Sequence, residues 1–290
     1  MEEKRAMDGV GATILIGIAL LLAFNQVVIK VTSDGFGPVF QAGLRSGFGT
    51  FVLLIWLKFR GVAFTLPAGA MTWGVVNGVI FAFEFISIYI ALDLTTVARA
   101  SVLFYSMPVW LALAAHVLLP GERLGGLRIP GLLLAMGGVA LALADRGGGQ
   151  VSLWGDLLAL AAALFWAAIA LVMRLTPLSR AVPEMQMFVV VAVSAPVLLL
   201  LSPLFGDLLR APGPLHLAGL AFQSVFVVAF GYMLWAVMIA RYHAGSVASF
   251  SFLSPVLAVL LGWWLLDEQI GRQVWMALGL VSTGVFLINR

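Results

Sequence analysis

The chain is a succession of long apolar runs separated by short breaks. The runs cover roughly residues 11–30, 38–57, 71–91, 96–119, 129–144, 153–173, 184–205, 215–240, 244–266 and 274–289. About 20 apolar residues span a bilayer as a helix. The pattern therefore predicts an all-α polytopic membrane protein with ten transmembrane helices. The fifth and last runs are short and are expected to stand nearly upright or to be covered by neighbours. The connections carry breakers: Asp34-Gly35, Arg60-Gly61, Pro120-Gly121, Pro177 and Pro212-Gly213-Pro214. None is long enough for a separate soluble domain.

One stretch occurs twice. Residues 101–138 and 248–284 both start with small and hydroxyl residues and pass through a proline, Pro108 or Pro255. An acidic residue with glycine three places on follows: Glu122 and Gly125, then Glu268 and Gly271. Each copy ends at a glycine, Gly138 or Gly284. Such self-similarity marks an internal repeat. The breaker cluster Arg146-Gly-Gly-Gly-Gln150 divides the chain into halves of five helices, residues 1–147 and 148–290. Further echoes agree: Pro38 with Gln41 parallels Pro183 with Gln186, and Gly74 parallels Gly219. An odd helix number makes the second half enter the membrane from the opposite side. The expected architecture is thus two inverted five-helix repeats about an axis in the membrane plane, a geometry suited to alternating access.

Composition strengthens the membrane reading. Of 290 residues, 62% are hydrophobic and 10% charged, where a soluble domain carries about 25% charged residues. The absence of cysteine excludes disulfides, thiol nucleophiles and Cys-based metal sites. A net charge of +3 gives no reason to expect a nucleic-acid partner. The first apolar run follows Lys4 and Arg5 but lacks a clear small-residue cleavage site, so it reads as a retained helix. With the N-terminus inside, ten Lys and Arg residues fall inside and six (Lys30, Arg45, Arg99, Arg146, Arg210, Arg272) outside or near it. The excess places both termini in the cytoplasm.

Ten helices, the five-plus-five duplication and the paired P…E-x-x-G…G pattern resemble the drug/metabolite transporter superfamily, specifically its EamA-type members. Within it the chain is most similar to the YddG-type bacterial amino-acid exporters. The resemblance covers essentially the whole chain. It implies a basket around a central cavity lined mainly by helices 3, 4, 8 and 9, and a multi-pass protein of the bacterial inner membrane. Many members carry Trp-Gly in the first helix, eight residues before a lysine. Here Leu22-Ala23 stands there, while the second half keeps Trp166-Ala167, so no role of that tryptophan carries over to the first half.

Glu84, mid-run in helix 3, is the sharpest single feature. A carboxylate at bilayer depth costs on the order of 2.5–3.5 kcal/mol on insertion scales and usually faces a cavity or a partner. Asn77, Phe81, Glu84 and Ile88 share one helical face, with Ser87 beside it. Glu84 reads either as a protonatable or amine-binding carboxylate or as a protonated acid donating to a neighbouring helix. Ser101 and Tyr105 lie one turn before Pro108, and Ser246, Ser249, Ser251 and Ser254 lead to Pro255. Proline frees a carbonyl that can face a polar cavity, although serine is also ordinary helix-packing material. Helix 8 adds Gln223, Phe230, Tyr232 and Trp235, where aromatics facing inward could stack on substrate. The substrate-binding candidates are therefore Asn77, Phe81, Glu84, Ser101, Tyr105, Gln223, Tyr232, Trp235 and Ser251. Trp73, Trp154, Trp263, Trp264 and Trp275 read as interface anchors. Glu122 and Glu268 are expected to pair with basic residues or to cap the next helix, with gating as the alternative, and Lys30 and Arg45 to snorkel toward the interface or else to attract a substrate carboxylate.

The three histidines are scattered, so no metal site is suggested. No catalytic constellation occurs, and no G-x-x-x-x-G-K-[ST] loop, so neither ATP nor another cofactor is expected. The function expected is a secondary transporter exporting amino acids, aromatic or bulky apolar ones by resemblance, and related metabolites, with protons as a candidate coupling ion. The alternatives are transport or exchange of a sugar phosphate or nucleotide sugar, and an intramembrane enzyme or scramblase. The partners expected are a small-molecule substrate and the lipid bilayer.

Overall fold

The computed structural model describes residues 8–118, 125–144, 152–231, 234, 237–238, 241–242 and 250–288, with the side chains of Ala229 and Ser251 excepted. The elements follow the apolar runs closely, and their ends follow capping chemistry. Helix α1 (Gly9–Ser33) starts where the Asp8 carboxylate accepts from the Gly11 amide at 2.7 Å. Helix α2 (Pro38–Arg60) opens on proline and closes on Gly61 at φ 64°, a left-handed cap that glycine adopts without strain. Helix α3 spans Ala70–Leu94. The fourth run is two helices, α4 (Val97–Phe104) and α5 (Met107–Leu118). Then come α6 (Arg128–Ala144), α7 (Leu153–Leu175) and α8 (Pro183–Leu201). Helix α9 (Pro214–Phe222) continues as a π-helical stretch, Gln223–Gly231. A 3-10 turn, Phe250–Phe252, leads into α10 (Leu253–Leu265), and α11 (Arg272–Ile288) ends the described chain. Six segments are long and apolar enough to cross a bilayer, and four shorter apolar helices complete the ten among the described residues.

Two expected single helices are interrupted. The fourth run breaks at Tyr105 and Ser106 because Pro108 has no N–H to offer the Phe104 carbonyl. Ser106 Oγ turns back and donates to the Leu103 carbonyl at 2.6 Å, and Trp110 Nε1 donates to Ser106 Oγ at 3.0 Å. In the ninth run the described part shows the same device, a 3-10 turn just before Pro255.

The inverted duplication is visible in the packing. Helices α6 and α11, the last of each half, are pressed together through glycine. A Cβ at Gly131 would lie 2.8 Å from the Gly284 carbonyl oxygen, and one at Gly138 would lie 2.8 Å from that of Ala277. The repeat that pairs Gly138 with Gly284 also pairs Gly131 with Ala277. Exchanging the halves therefore turns one contact into the other, and the two helices run antiparallel. Both facts require a two-fold axis in the membrane plane. The remaining contacts obey the same exchange: α3 packs on α7 as α9 packs on α1, and α2 packs on its own mate α8. Small residues at these crossings let backbones approach where lipid supplies no hydrophobic drive between helices.

The outer surface is apolar, as lipid contact demands. Phe59 is 92% exposed and Trp264 71%, and Trp73, Trp154, Trp263 and Trp275 also lie open on the outside. On the face where α1 ends, the loops interlock. Gly37 N donates to Leu208 O at 3.0 Å and Arg210 N to Gly35 O at 2.9 Å. The Arg210 guanidinium grips Asp93 through two bonds of 2.6 and 2.9 Å. That hydrogen-bonded carboxylate is the main reason the Arg210 pKa is raised.

Candidate functional site

Helix α3 supplies the centre of the polar interior. Glu84 is 4% exposed, Asn77 fully buried and Phe81 nearly so. Neither polar atom of the Asn77 carboxamide has a hydrogen-bond partner among the described residues. Glu84 makes no hydrogen bond or ion pair among the described residues; the charge acting on it is the Arg45 guanidinium, through space. Buried polar groups are normally paired, so a face carrying an unpartnered amide two turns from a carboxyl without a hydrogen bond is prepared for a partner that the described residues do not provide.

Arg45 corrects the sequence reading. It sits two turns inside α2 and is 2% exposed, so it does not snorkel. Its Cζ lies 4.4 Å from the centroid of the Phe85 ring, where the ring's negative face stabilises the cation. Phe85 in turn stands 4.3 Å from Phe81 and 5.6 Å from Tyr89, centroid to centroid. The result is an aromatic ladder along α3 with one cation on it. A residue number near a run's end suggested the membrane interface; the packing of α2 against α3 turned that side chain inward.

Gln223 opens the π-helical stretch and is fully buried. Its Oε1 accepts from Tyr89 Oη at 2.8 Å and from Gln41 Nε2 at 3.3 Å, and its Nε2 donates to Thr32 Oγ1 at 3.4 Å. Gln41 Nε2 also donates to the Ile29 carbonyl at 3.3 Å. This knot ties α1, α2, α3 and α9 at one level, and it occupies the polar atoms of Gln223 that the sequence offered to substrate. The π geometry there matches a frequent marker of functional segments.

Ser101 is fully buried on α4 with an unpartnered Oγ. Tyr105 sits in the break between α4 and α5, its ring 5.3 Å from Phe104 and 6.1 Å from Trp166. Trp166 itself stacks on Phe104 at 4.9 Å with the planes 17° apart. The tryptophan retained in the second half is therefore packed onto the broken helix of the first. Ser251 lies in the turn before α10, with its side chain outside the described residues. Tyr232, Trp235, Ser246, Ser249, Glu122, residues 1–7 and Arg290 lie outside the described residues too.

Lys30, Arg99 and Asp156 take places the sequence did not indicate, while Glu268 caps a helix as expected, though not the next one in the chain. Lys30 does not snorkel: its Nζ donates to the carbonyls of Leu92 and Thr95 at 2.8 and 2.7 Å and closes the C-terminus of α3. Glu268 caps a helix of the other half, accepting from the Val97 and Ala98 amides at 2.6 and 3.0 Å at the start of α4. Burial pushes the Glu268 carboxyl above its ordinary range, against the opposing pull of those two amides and of Lys30. Arg99, read as a connection charge, is buried against Asp156, with Nη2 to Oδ2 at 2.5 Å and Nε to Oδ1 at 3.2 Å. Asp156 gave no signal, since an acid in the first turn of a helix is ordinary. Among the described residues no group of His, Asp or Glu is arranged to hold a metal ion.

The sequence matches the EamA-like transporter family twice, over residues 9–144 and 153–290. It is 28% identical over 284 residues to the uncharacterized transporter YvbV of Bacillus subtilis, covering 93% of this chain and 91% of that one. It is 28% identical over 297 residues to a protein of Escherichia coli described as a probable amino-acid metabolite efflux pump, covering 97% and 94%. A solved crystal structure shares the fold, with a TM-score of 0.66 over 95% of this chain and 96% of its own at 22% identity.

Proposed function

The chain belongs to the EamA-like transporter family, and from that premise we propose that it is a secondary transporter of the bacterial inner membrane that exports amino acids and related metabolites by alternating access. Its similarity to the amino-acid metabolite efflux pump supports the cargo class. The observation that carries the reading is the α3 face, where Glu84 and Asn77 are buried at mid-span without hydrogen-bond partners among the described residues. A buried ionisable group inside a membrane segment marks a substrate or ion path more often than a scaffold. Inverted halves that exchange conformations can open that face to each compartment in turn. A sugar phosphate fits less well, since its negative charges would approach Glu84 with only Arg45 facing them among the described residues.

The test is flux in proteoliposomes with a panel of amino acids, with and without an imposed proton gradient. Wild-type protein is expected to move at least one amino acid, and Glu84→Gln to lower that flux by about tenfold or more while expression and melting temperature hold. Gln keeps the shape and most hydrogen bonding but cannot ionise. Wild-type flux in the variant at every pH would remove Glu84 from the mechanism. Reduced flux with an unchanged pH dependence would assign the carboxyl to substrate binding rather than to the coupled proton.

A further inference from the structure

We propose that Lys30, Arg210 and Glu268 form a clasp between two moving helix bundles, and that this clasp holds one side of the transporter shut in this structure. The proposal rests on alternating access as read above and goes beyond it by naming the parts that separate and the bonds that hold them together.

The moving parts are not the two halves of the sequence. Helix α1 packs on α9 and α10, and α7 packs on α3 and α4. The repeat makes α1 the counterpart of α7, α9 of α3 and α10 of α4, so each group maps onto the other when the halves exchange. Helices α6 and α11 pair across the axis, as do α2 and α8, and can serve as a frame. The two groups meet along α1 with α3 and along α4 with α10. The clasp crosses that seam on the face where α1, α3 and α10 end. Lys30 on α1 donates to the Leu92 and Thr95 carbonyls at the end of α3. Glu268, just after α10, accepts from the first two amides of α4. Arg210, ahead of α9, grips Asp93 near the end of α3. Gly262 makes room for the Glu268 carboxylate: a Cβ there would stand 2.7 Å from its Oε2 and 3.4 Å from Val97 Cβ. Charged groups near water exchange such bonds for hydration at little cost, and Arg210 and Asp93 are 34% and 21% exposed. Bonds of that kind suit a closure that must open and re-form. The helices they hold carry the candidate site: α3 bears Glu84 and Asn77, and Ser101 lies one turn beyond the amides that Glu268 caps. Releasing the clasp therefore moves the site residues with their helices.

The chain has no cysteine, so pairs of spin labels can be attached to introduced cysteines without background, and the distance between them reads the conformation with no substrate present. Leu157 on α7 with Leu215 on α9 spans the seam on the clasp side, and Val10 on α1 with Leu175 on α7 spans it on the other; all four are exposed. In lipid nanodiscs the clasp-side pair should give mainly one short distance in the otherwise wild-type protein. Glu268→Ala removes the acceptor, and Gly262→Ala keeps every bonding group and only displaces the carboxylate. In both, a longer clasp-side distance should take about half or more of the signal while the opposite pair shortens. Arg210→Gln should shift part of the way. A clasp-side distance that broadens while the opposite pair holds makes these bonds local scaffolding and overturns the proposal, as does no change in either pair. A second measurement locks the seam instead of loosening it, and it decides the case if a loosened variant fails to fold. Asp93→Cys with Arg210→Cys, joined by a short reducible thiol crosslinker, should lose amino-acid flux by about tenfold or more and regain it on reduction. Undiminished flux through the crosslinked protein overturns the proposal. Distances that shift as expected in a protein that carries no amino acid leave the clasp standing and remove the amino-acid reading.

Discussion

Asn77 has no solvent exposure, and neither polar atom of its carboxamide meets a partner among the described residues. An unsatisfied buried polar group costs about 1–3 kcal/mol. A residue kept at that cost in the middle of a membrane helix is there for something other than stability. Asn77→Leu, close in shape and without polar atoms, should stabilise the purified protein by about 1–2 kcal/mol and raise its melting temperature in detergent. The same variant should lose amino-acid flux. A lower melting temperature would show that the amide is structural and would withdraw it from the site. Glu84 differs because it was legible: a carboxylate within an apolar run stands out in any reading of the chain. Arg45 was legible as a charge, but run position alone could not choose between snorkelling and facing a substrate, because it cannot say which way a side chain on a buried helix turns.

At the scale of elements, the short helix α4 is held from outside itself. Glu268, from the α10–α11 connection, accepts its first two amide protons, and Arg99 bonds both Asp156 on α7 and the Ala142 carbonyl at the end of α6. An eight-residue helix would be marginal alone. Its position beside the Tyr105–Ser106 break is set by these ties rather than by propensity. The Arg99–Asp156 pair is buried at 2% and 0% exposure. Removing one partner should leave an uncompensated charge and cost about 3–5 kcal/mol. Arg99→Met and Asp156→Asn should therefore each lower the melting temperature markedly. The double change Arg99→Met with Asp156→Leu should recover part of the loss, since a well-packed apolar pair often replaces a buried ion pair without penalty. Melting curves of the four proteins in one detergent check this. Equal losses in the single and double variants would mean that the charges are not what holds α4.

For the whole molecule, ten crossings are expected to put both ends of the chain on one face. The excess of Lys and Arg on the side where α2 ends, its last turn carrying Lys58 and Arg60, predicts that this face is cytoplasmic. Fusions at either terminus should be active with a cytoplasmic reporter and silent with a periplasmic one. The opposite pattern at both ends would invert the orientation and turn proposed export into uptake for the same geometry. The face carrying Lys30, Glu268, Arg99 and Arg210 would then be the outer one in the expected orientation.

The sequence by itself determined the number of crossings, the duplication and hence the inversion. Each follows from local facts: run length against bilayer thickness, and the recurrence of Pro108, Glu122 and Gly138 as Pro255, Glu268 and Gly284. It marked Pro108 and Pro255 as places where a carbonyl is freed, since a missing N–H is written in the chain, but not that the fourth run would break into two helices or that a 3-10 turn would stand before Pro255. The tertiary structure alone decided the partners. Nothing local joins Glu268 to the amides of Val97 and Ala98, Arg99 to Asp156, or Gln223 to Tyr89 and Gln41, which lie far apart in sequence. In a bilayer nearly every residue of a run is apolar, so hydrophobic patterning scarcely distinguishes the inward face of a helix from the lipid face. That choice is made by close packing and by the few polar groups, whose burial is tolerable only where another helix supplies the complementary group or a substrate can.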